Sequence, residues 1–206
     1  MDEFVVGVDP VPALLSIAVG LGLAAATGFR VFVPLLVASL AARSGHLPLA
    51  SGFGWLQSLP AVIALGTATV LEVGAYYIPW LDHALDTVAT PIAVMAGVLA
   101  SASVVTDLPP LLKWTVAIIG GGSAAGLIQG ASVLLRLKSA ALTGGAGNPV
   151  VSTAELLGAI GTALLAVLLP IVCLVGVLVL LVFAFRATGR LLFGRRPVAD
   201  AAAGSP

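Results

Sequence analysis

Apolar residues fall into five long blocks, at about 11–42, 59–79, 87–105, 108–137 and 153–185, separated by RSGHLPLASGFGWLQS, WLDHALD, the dipeptide TD and LKSAALTGGAGNPVVS. A helix that crosses the hydrocarbon core of a bilayer needs about 20 residues, so the second and third blocks each predict one upright helix. The first, fourth and fifth blocks run to roughly 30 residues or more, too long for one upright span and short for two. Each is expected to tilt, to kink, or to fold back as a pair of short helices.

Glycine placement bears on two of these long blocks. GLGLAAATG at 20–28 and GGGSAAG at 120–126 are small-residue clusters near the block centres, where the backbone can break or neighbouring helices can pack closely. Both readings stand at this point, and a break would require shielding by protein, because irregular backbone is not tolerated against lipid. The fifth block has Pro170 but no polar turn, so it reads either as a hairpin or as one kinked helix. A two-fold internal repeat is also suggested. Gly22 and Gly28 align with Gly120 and Gly126 at a shift of 98, and Gly66-Thr67-Ala68 aligns with Gly161-Thr162-Ala163 at a shift of 95. The expected fold is therefore all-α: a polytopic membrane protein of about six to eight helices, some short or broken. It forms one transmembrane domain over 1–192, with repeat halves at 11–106 and 108–189 and a basic, then disordered, tail over 193–206.

Basic residues near span ends favour the cytoplasmic side. If the first, fourth and fifth blocks each enter and leave on one side, Arg43, Lys113, Arg136, Lys138, Arg186, Arg190, Arg195 and Arg196 share the cytoplasmic face of an inner membrane with the C-terminus, and WLDHALD faces out.

Composition agrees with a membrane location. The chain is 60% hydrophobic and 9% charged with a mean hydropathy of +1.17, whereas soluble domains carry roughly 25% charged residues. Nine basic residues balance nine acidic ones, which leaves no clustered basic face for nucleic acid. The lone Cys173 cannot form an intramolecular disulfide and reads as an inert buried thiol. The acidic start MDEFVVGVDP lacks the basic residues of a signal peptide, so the first apolar block is expected to be retained. The expected partners are membrane lipids, and the small-residue faces permit a homo-oligomer.

Chemistry concentrates at ionisable residues within apolar blocks. Glu72 in PAVIALGTATVLEVGAYYIP and Arg30 in the first block must be paired, hydrated or neutralised at membrane depth. They are candidates for an intramembrane site, for each other's partner, or for a pair that only fixes helix registry. Thr69 and Tyr76 share a helical face with Glu72. Ser152 and Glu155 read first as a capping box at a helix start, after the turn GGAGNP that ends in Asn148 and Pro149. Tyr76 and Trp80 read first as an interfacial belt and Asp86 as a helix cap. The functional alternative joins Asp82, His83 and Asp86 into a polar mouth able to bind a cation. No P-loop, HExxH or GxSxG pattern occurs, so an enzyme has little support and no cofactor is expected.

Three motifs in order, GFRVFVPLL from Gly28, Glu72 followed by IPWLDHALD from Ile78, and GGAGNPVVSTAE from Gly144, resemble a bacterial integral membrane family, domain of unknown function family 4126, over about 13–185. Tyr76-Tyr77, where the family has a charged dipeptide, and Gln129, where it often has His, depart from the pattern and weaken any shared proton relay. The resemblance implies membrane location and no established activity. The function expected from the residues is movement of a small solute, ion or lipid headgroup past Arg30, Glu72, Tyr76, Asp82, His83, Asp86, Asn148 and Glu155. The alternative is a membrane scaffold or assembly factor.

Overall fold

The computed structural model describes residues 9–76 and 78–193, with the backbone alone at 79–87, 187, 188 and 190–193. Among the described residues there are seven helices and no strand. These are α1 (Pro10–Thr27), α2 (Phe32–Arg43), α3 (Leu59–Ala75), α4 (Pro79–Val104), α5 (Pro110–Thr143), α6 (Asn148–Leu168) and α7 (Pro170–Phe193). A proline stands in the first turn of α1, α3, α4, α5 and α6, where its missing N–H costs nothing because that donor has no helical partner. Ser58 adds a side-chain cap to α3, accepting from the Ala61 N–H at 3.3 Å.

The packing is inverted relative to a water-soluble protein. Ala18, Ala24, Ala25, Ala93, Ala100, Ala117, Ala125, Ala159 and Ala163 are buried, while Ile63, Val70, Leu71, Phe183 and Phe185 lie on the outside. Lipid tails are as apolar as leucine, so nothing drives large side chains inward, and small residues that let backbones approach decide the contacts. Three helices are long and apolar enough to cross a membrane: Pro10–Thr27, Pro110–Thr143 and Asn148–Leu168. Four shorter apolar helices accompany them. This is the architecture of a membrane protein.

The first block does fold back. α1 runs down the centre, touching α4, α5, α6 and α7. It ends at Thr27, whose hydroxyl donates to the Ala24 carbonyl at 2.6 Å and lies 3.4 Å from the Ala93 carbonyl of α4. After the turn at 28–31, α2 returns beside α1, with Val19, Leu23, Ala38 and Ala42 in one apolar cluster. The loop beyond it closes on α4, Ala50 N–H donating to the Ser103 carbonyl at 2.8 Å. The hairpin tip is therefore deep in the protein. Gly28 permits this: a Cβ there would stand 2.6 Å from both the Ala125 carbonyl oxygen and Ile128 Cβ.

The fourth block does not fold back. α5 is continuous, with one π-helical stretch at Val116–Gly122, the kind of local widening that relieves packing without ending a helix. Its glycines serve close approach instead. A Cβ on Gly97 would lie 2.5 Å from Ala125 Cβ, and one on Gly121 would lie 2.8 Å from the Gly97 carbonyl. Gly22–Gly28 and Gly120–Gly126 thus align in sequence but sit in different shapes, a hairpin and a straight helix. The fifth block is a hairpin: α6 and α7 pack on each other across Leu169, and Gly22 faces both Ala166 and Cys173 on either side of that turn.

A continuous α5 overturns the shared basic face. Lys113 is near the start of this helix and Arg136 and Lys138 near its end, so they lie at opposite ends of the bundle. Arg43 belongs to the Lys113 end, because Ala50 binds the C-terminal end of α4 and α5 runs antiparallel to α4 through Gly97–Gly121 and Val94–Gly126. WLDHALD is not a loop either. α4 begins at Pro79 and runs through it, so Asp86 is inside the helix rather than at its cap. The side chains of Asp82, His83 and Asp86 lie outside the described residues, as do 1–8 and the tail beyond 193.

Three outcomes follow from this packing. Gly97→Val should lower the unfolding midpoint in detergent, with a loss of about 1–3 kcal/mol from overpacking. Gly161→Ala, where a Cβ meets nothing within 4 Å, should leave the midpoint unchanged or raise it. In a Cys173→Ala background, an impermeant thiol reagent applied to intact cells should label only one of Ser44→Cys and Leu142→Cys. Labelling of both from outside would contradict the fold.

Candidate functional site

The hairpin tip carries the charge. Arg30 is 2% exposed and reaches across to α6, where its Nη2 donates to the Ser152 carbonyl at 2.9 Å and to the Ser152 hydroxyl. The same nitrogen is 3.4 Å from Glu155 Oε2. Arg136 of α5 meets that carboxylate as a fork: its Nε donates to Oε1 at 3.0 Å and its Nη2 to Oε2. One buried carboxylate thus serves two buried guanidinium groups. The Tyr76 ring, just past α3, stacks on both, with guanidinium carbons 3.8 Å (Arg30) and 4.2 Å (Arg136) from its centroid. Planar, weakly hydrated guanidinium groups suit this stacking, where an ammonium would not.

Glu72 has a different duty. Its Oε1 accepts from the Val31 N–H at 2.7 Å and its Oε2 from the Phe32 N–H at 3.0 Å. It is a cap supplied by one helix to the first turn of another. The N-terminal amides of α2 have no helical acceptor, no water is available in a bilayer core, and a carboxylate at the positive end of the helix dipole answers both needs. The expected Arg30–Glu72 pair is therefore corrected: each residue binds elsewhere, one position apart on the tip. Thr69 does not serve Glu72, since its hydroxyl donates to the Leu65 carbonyl at 2.8 Å.

The capping-box reading of Ser152 and Glu155 is corrected too. α6 begins at Asn148 with Pro149 in its first turn, so both residues are already inside the helix, and both turn toward arginine. Asn148 stands two turns before Glu155 at the start of α6, partly buried. Of the sequence candidates, the structure brings together Arg30, Glu72, Tyr76 and Glu155. Sequence reasoning missed Arg136, treated as a topology marker, and Ser152. The signal was present: Gln129, Ser132 and Arg136 recur at helical spacing in an apolar helix, and all three are buried.

Two open grooves flank the cluster. One, of about 480 Å³ between α2, α3 and α4, is lined by Val31, Phe32, Leu71, Glu72, Tyr76 and Ile92. The other, of about 400 Å³, is lined by Phe29, Ser132, Glu155 and Phe183 among others. Among the described residues no group of three or more metal-ligating side chains occurs.

The family model described as domain of unknown function (DUF4126) matches residues 17–190. Comparison with curated proteins and with solved structures gives no match.

Stability should track these contacts. Glu155→Gln removes the carboxylate charge that contacts both Arg30 and Arg136 and is expected to cost about 3–5 kcal/mol. Glu72→Gln keeps an acceptor for one amide and should cost about 1 kcal/mol, as loss of a cap does. Denaturant titration in detergent micelles checks the order. Equal losses would contradict the division of labour between the two carboxylates.

Proposed function

Since the chain belongs to the DUF4126 family, which carries no assigned activity, the chemistry of the site is the guide to function, and we propose that this membrane protein binds and moves an anionic group at Arg30 and Arg136. The group is a small solute, an inorganic ion or a lipid headgroup. One observation carries the reading: Arg30 is 2% exposed, and its Nε and Nη1 have no hydrogen-bond partner. A cation at membrane depth costs about 2.5–3.5 kcal/mol on insertion scales. A buried cation with unused donors fits an anion.

The membrane is read as an inner membrane with the C-terminal end on the cytoplasmic side. Lys138, Arg186 and Arg190 lie toward the α5 and α7 C-terminal ends, against Arg43 and Lys113 at the other, and the basic excess favours the cytoplasm.

A scaffold is the second reading, favoured by the structural duties of both carboxylates, Glu155 holding two arginines and Glu72 holding backbone. Vesicles containing the purified protein separate the two. Transport predicts that Arg30→Gln lowers efflux of chloride or phosphate, or transbilayer movement of an anionic lipid, at least tenfold. Unchanged flux in Arg30→Gln would sink the transport reading, and full cellular function in that variant would favour the scaffold.

A further inference from the structure

Two basic residues that the buried site does not use, Arg43 and Lys113, meet one tight turn in the loop between α2 and α3. The turn, Gly54–Gln57 after Phe53, is fixed to the bundle. Leu56 is buried, the Ser39 hydroxyl donates to its carbonyl, and the Phe53 N–H donates to the carbonyl of Ala50, which is itself bound to Ser103. Lys113 comes from the start of α5, its Nζ 5.7 Å from the centre of the Phe53 ring and 5.8 Å from that of Trp114, within cation–π range. Arg43, the last residue of α2, meets the other end of the turn, its Nη1 donating to the Gln57 carbonyl at 3.2 Å. Among the described residues neither cation has a carboxylate within ion-pair distance. Large apolar side chains lie open around them: Trp55 is 59% exposed, and Leu59, Leu111, Leu112 and Trp114 are exposed too. All of these residues stand at or near helix ends, and in a membrane protein tryptophan and basic residues at span ends lie at the level of the lipid headgroups.

We propose that this turn, with Arg43 and Lys113, is a docking face for an anionic phospholipid, the two cations taking the headgroup phosphate. Charge complementarity selects the lipid. Two cations without a protein counter-charge attract an anionic headgroup, whereas a zwitterionic headgroup brings its own cation and gains less. Lys113 is only partly exposed and lays its stem along aromatic rings while its ammonium stays free for a phosphate. Trp55 and Trp114 each offer an apolar body and one polar N–H, which suits the boundary between headgroup and acyl chain. A soluble acidic protein would match the charge but not Leu111, which is 72% exposed. The face lies at the opposite end of the bundle from Lys138, and the proposal does not depend on movement of an anion at Arg30.

The test uses the full chain in mixed detergent micelles at constant, low ionic strength, with brominated phosphatidylglycerol or brominated phosphatidylcholine titrated in and tryptophan quenching as readout. In a Trp80→Phe background the remaining indoles are Trp55 and Trp114, so quenching reports on this face. Phosphatidylglycerol should bind at least about tenfold more tightly than phosphatidylcholine, since each basic residue near an anionic headgroup is worth about fivefold. Arg43→Gln and Lys113→Gln should each lower that preference about fivefold, and the double variant should lose it. Arg43→Lys, which keeps the charge, should retain most of it, and so should Lys138→Gln at the far end. If Arg43→Gln does not fold, Lys113→Glu, which reverses the charge, should remove the preference, and an unchanged preference there overturns the proposal. Equal quenching by the two lipids in the unsubstituted background overturns it, as does a preference that survives in the double variant. A comparable loss in Lys138→Gln also overturns it, because the attraction would then be diffuse. Free glycerol phosphate should not displace the lipid at equal concentration, and displacement would identify a soluble phosphate ligand and overturn the lipid.

Discussion

A helix end buried inside a bundle has to have its amides satisfied by protein, and the rest of this structure is arranged around that requirement. The α1–α2 hairpin turns inside the bundle rather than at its surface. Glu72 takes the first free amides of α2, and Arg30, one residue earlier, is tied to α6 through Ser152 and Glu155. The tip is held from both sides by carboxylates on different helices. Arg136 then becomes necessary to the packing of α5, since its fork onto Glu155 brings a third element to the same point. Removing one member of such a buried set leaves uncompensated charge, which is why the cost falls on the whole bundle rather than on one contact.

The small-residue core follows from the same demand. A turn can be buried only if neighbouring backbones come close enough to exclude lipid, and Gly28, Gly97 and Gly121 provide that closeness where a Cβ would meet backbone oxygens. Large apolar side chains are left to face outward. Packing and polar chemistry are therefore not separate layers here: the alanine and glycine contacts determine where the charged tip can lie, and the charged tip makes the buried turn affordable.

Much of this was legible in the chain. The excess length of the first block and its small-residue cluster admitted a buried turn but equally close helix packing, and Arg30 and Glu72 stood out as charges in apolar surroundings. Their pairing was not legible, because two isolated opposite charges suggest each other, whereas the actual acceptor of Glu72 is backbone, which carries no side-chain signature. Glu155 was read as a local cap because Ser152-Thr153-Ala154-Glu155 matches a local motif, and only the packing of α5 reveals its distant partners. The glycines of α5 resembled those of α1 in spacing, yet spacing does not distinguish a break from a close crossing. That ambiguity also misdirected the sidedness, since a continuous α5 sends Lys113 and Lys138 to opposite ends.

The central claim is that Arg30 is bound to Glu155 while Glu72 is bound to the backbone of α2, and a double-mutant cycle tests it most directly. Unfolding free energies of Arg30→Gln, Glu155→Gln, Glu72→Gln and the two doubles containing Arg30→Gln give two coupling energies. The account predicts a coupling between Arg30 and Glu155 of about 1 kcal/mol or more, and a smaller one between Arg30 and Glu72. A larger coupling to Glu72 than to Glu155 would contradict it.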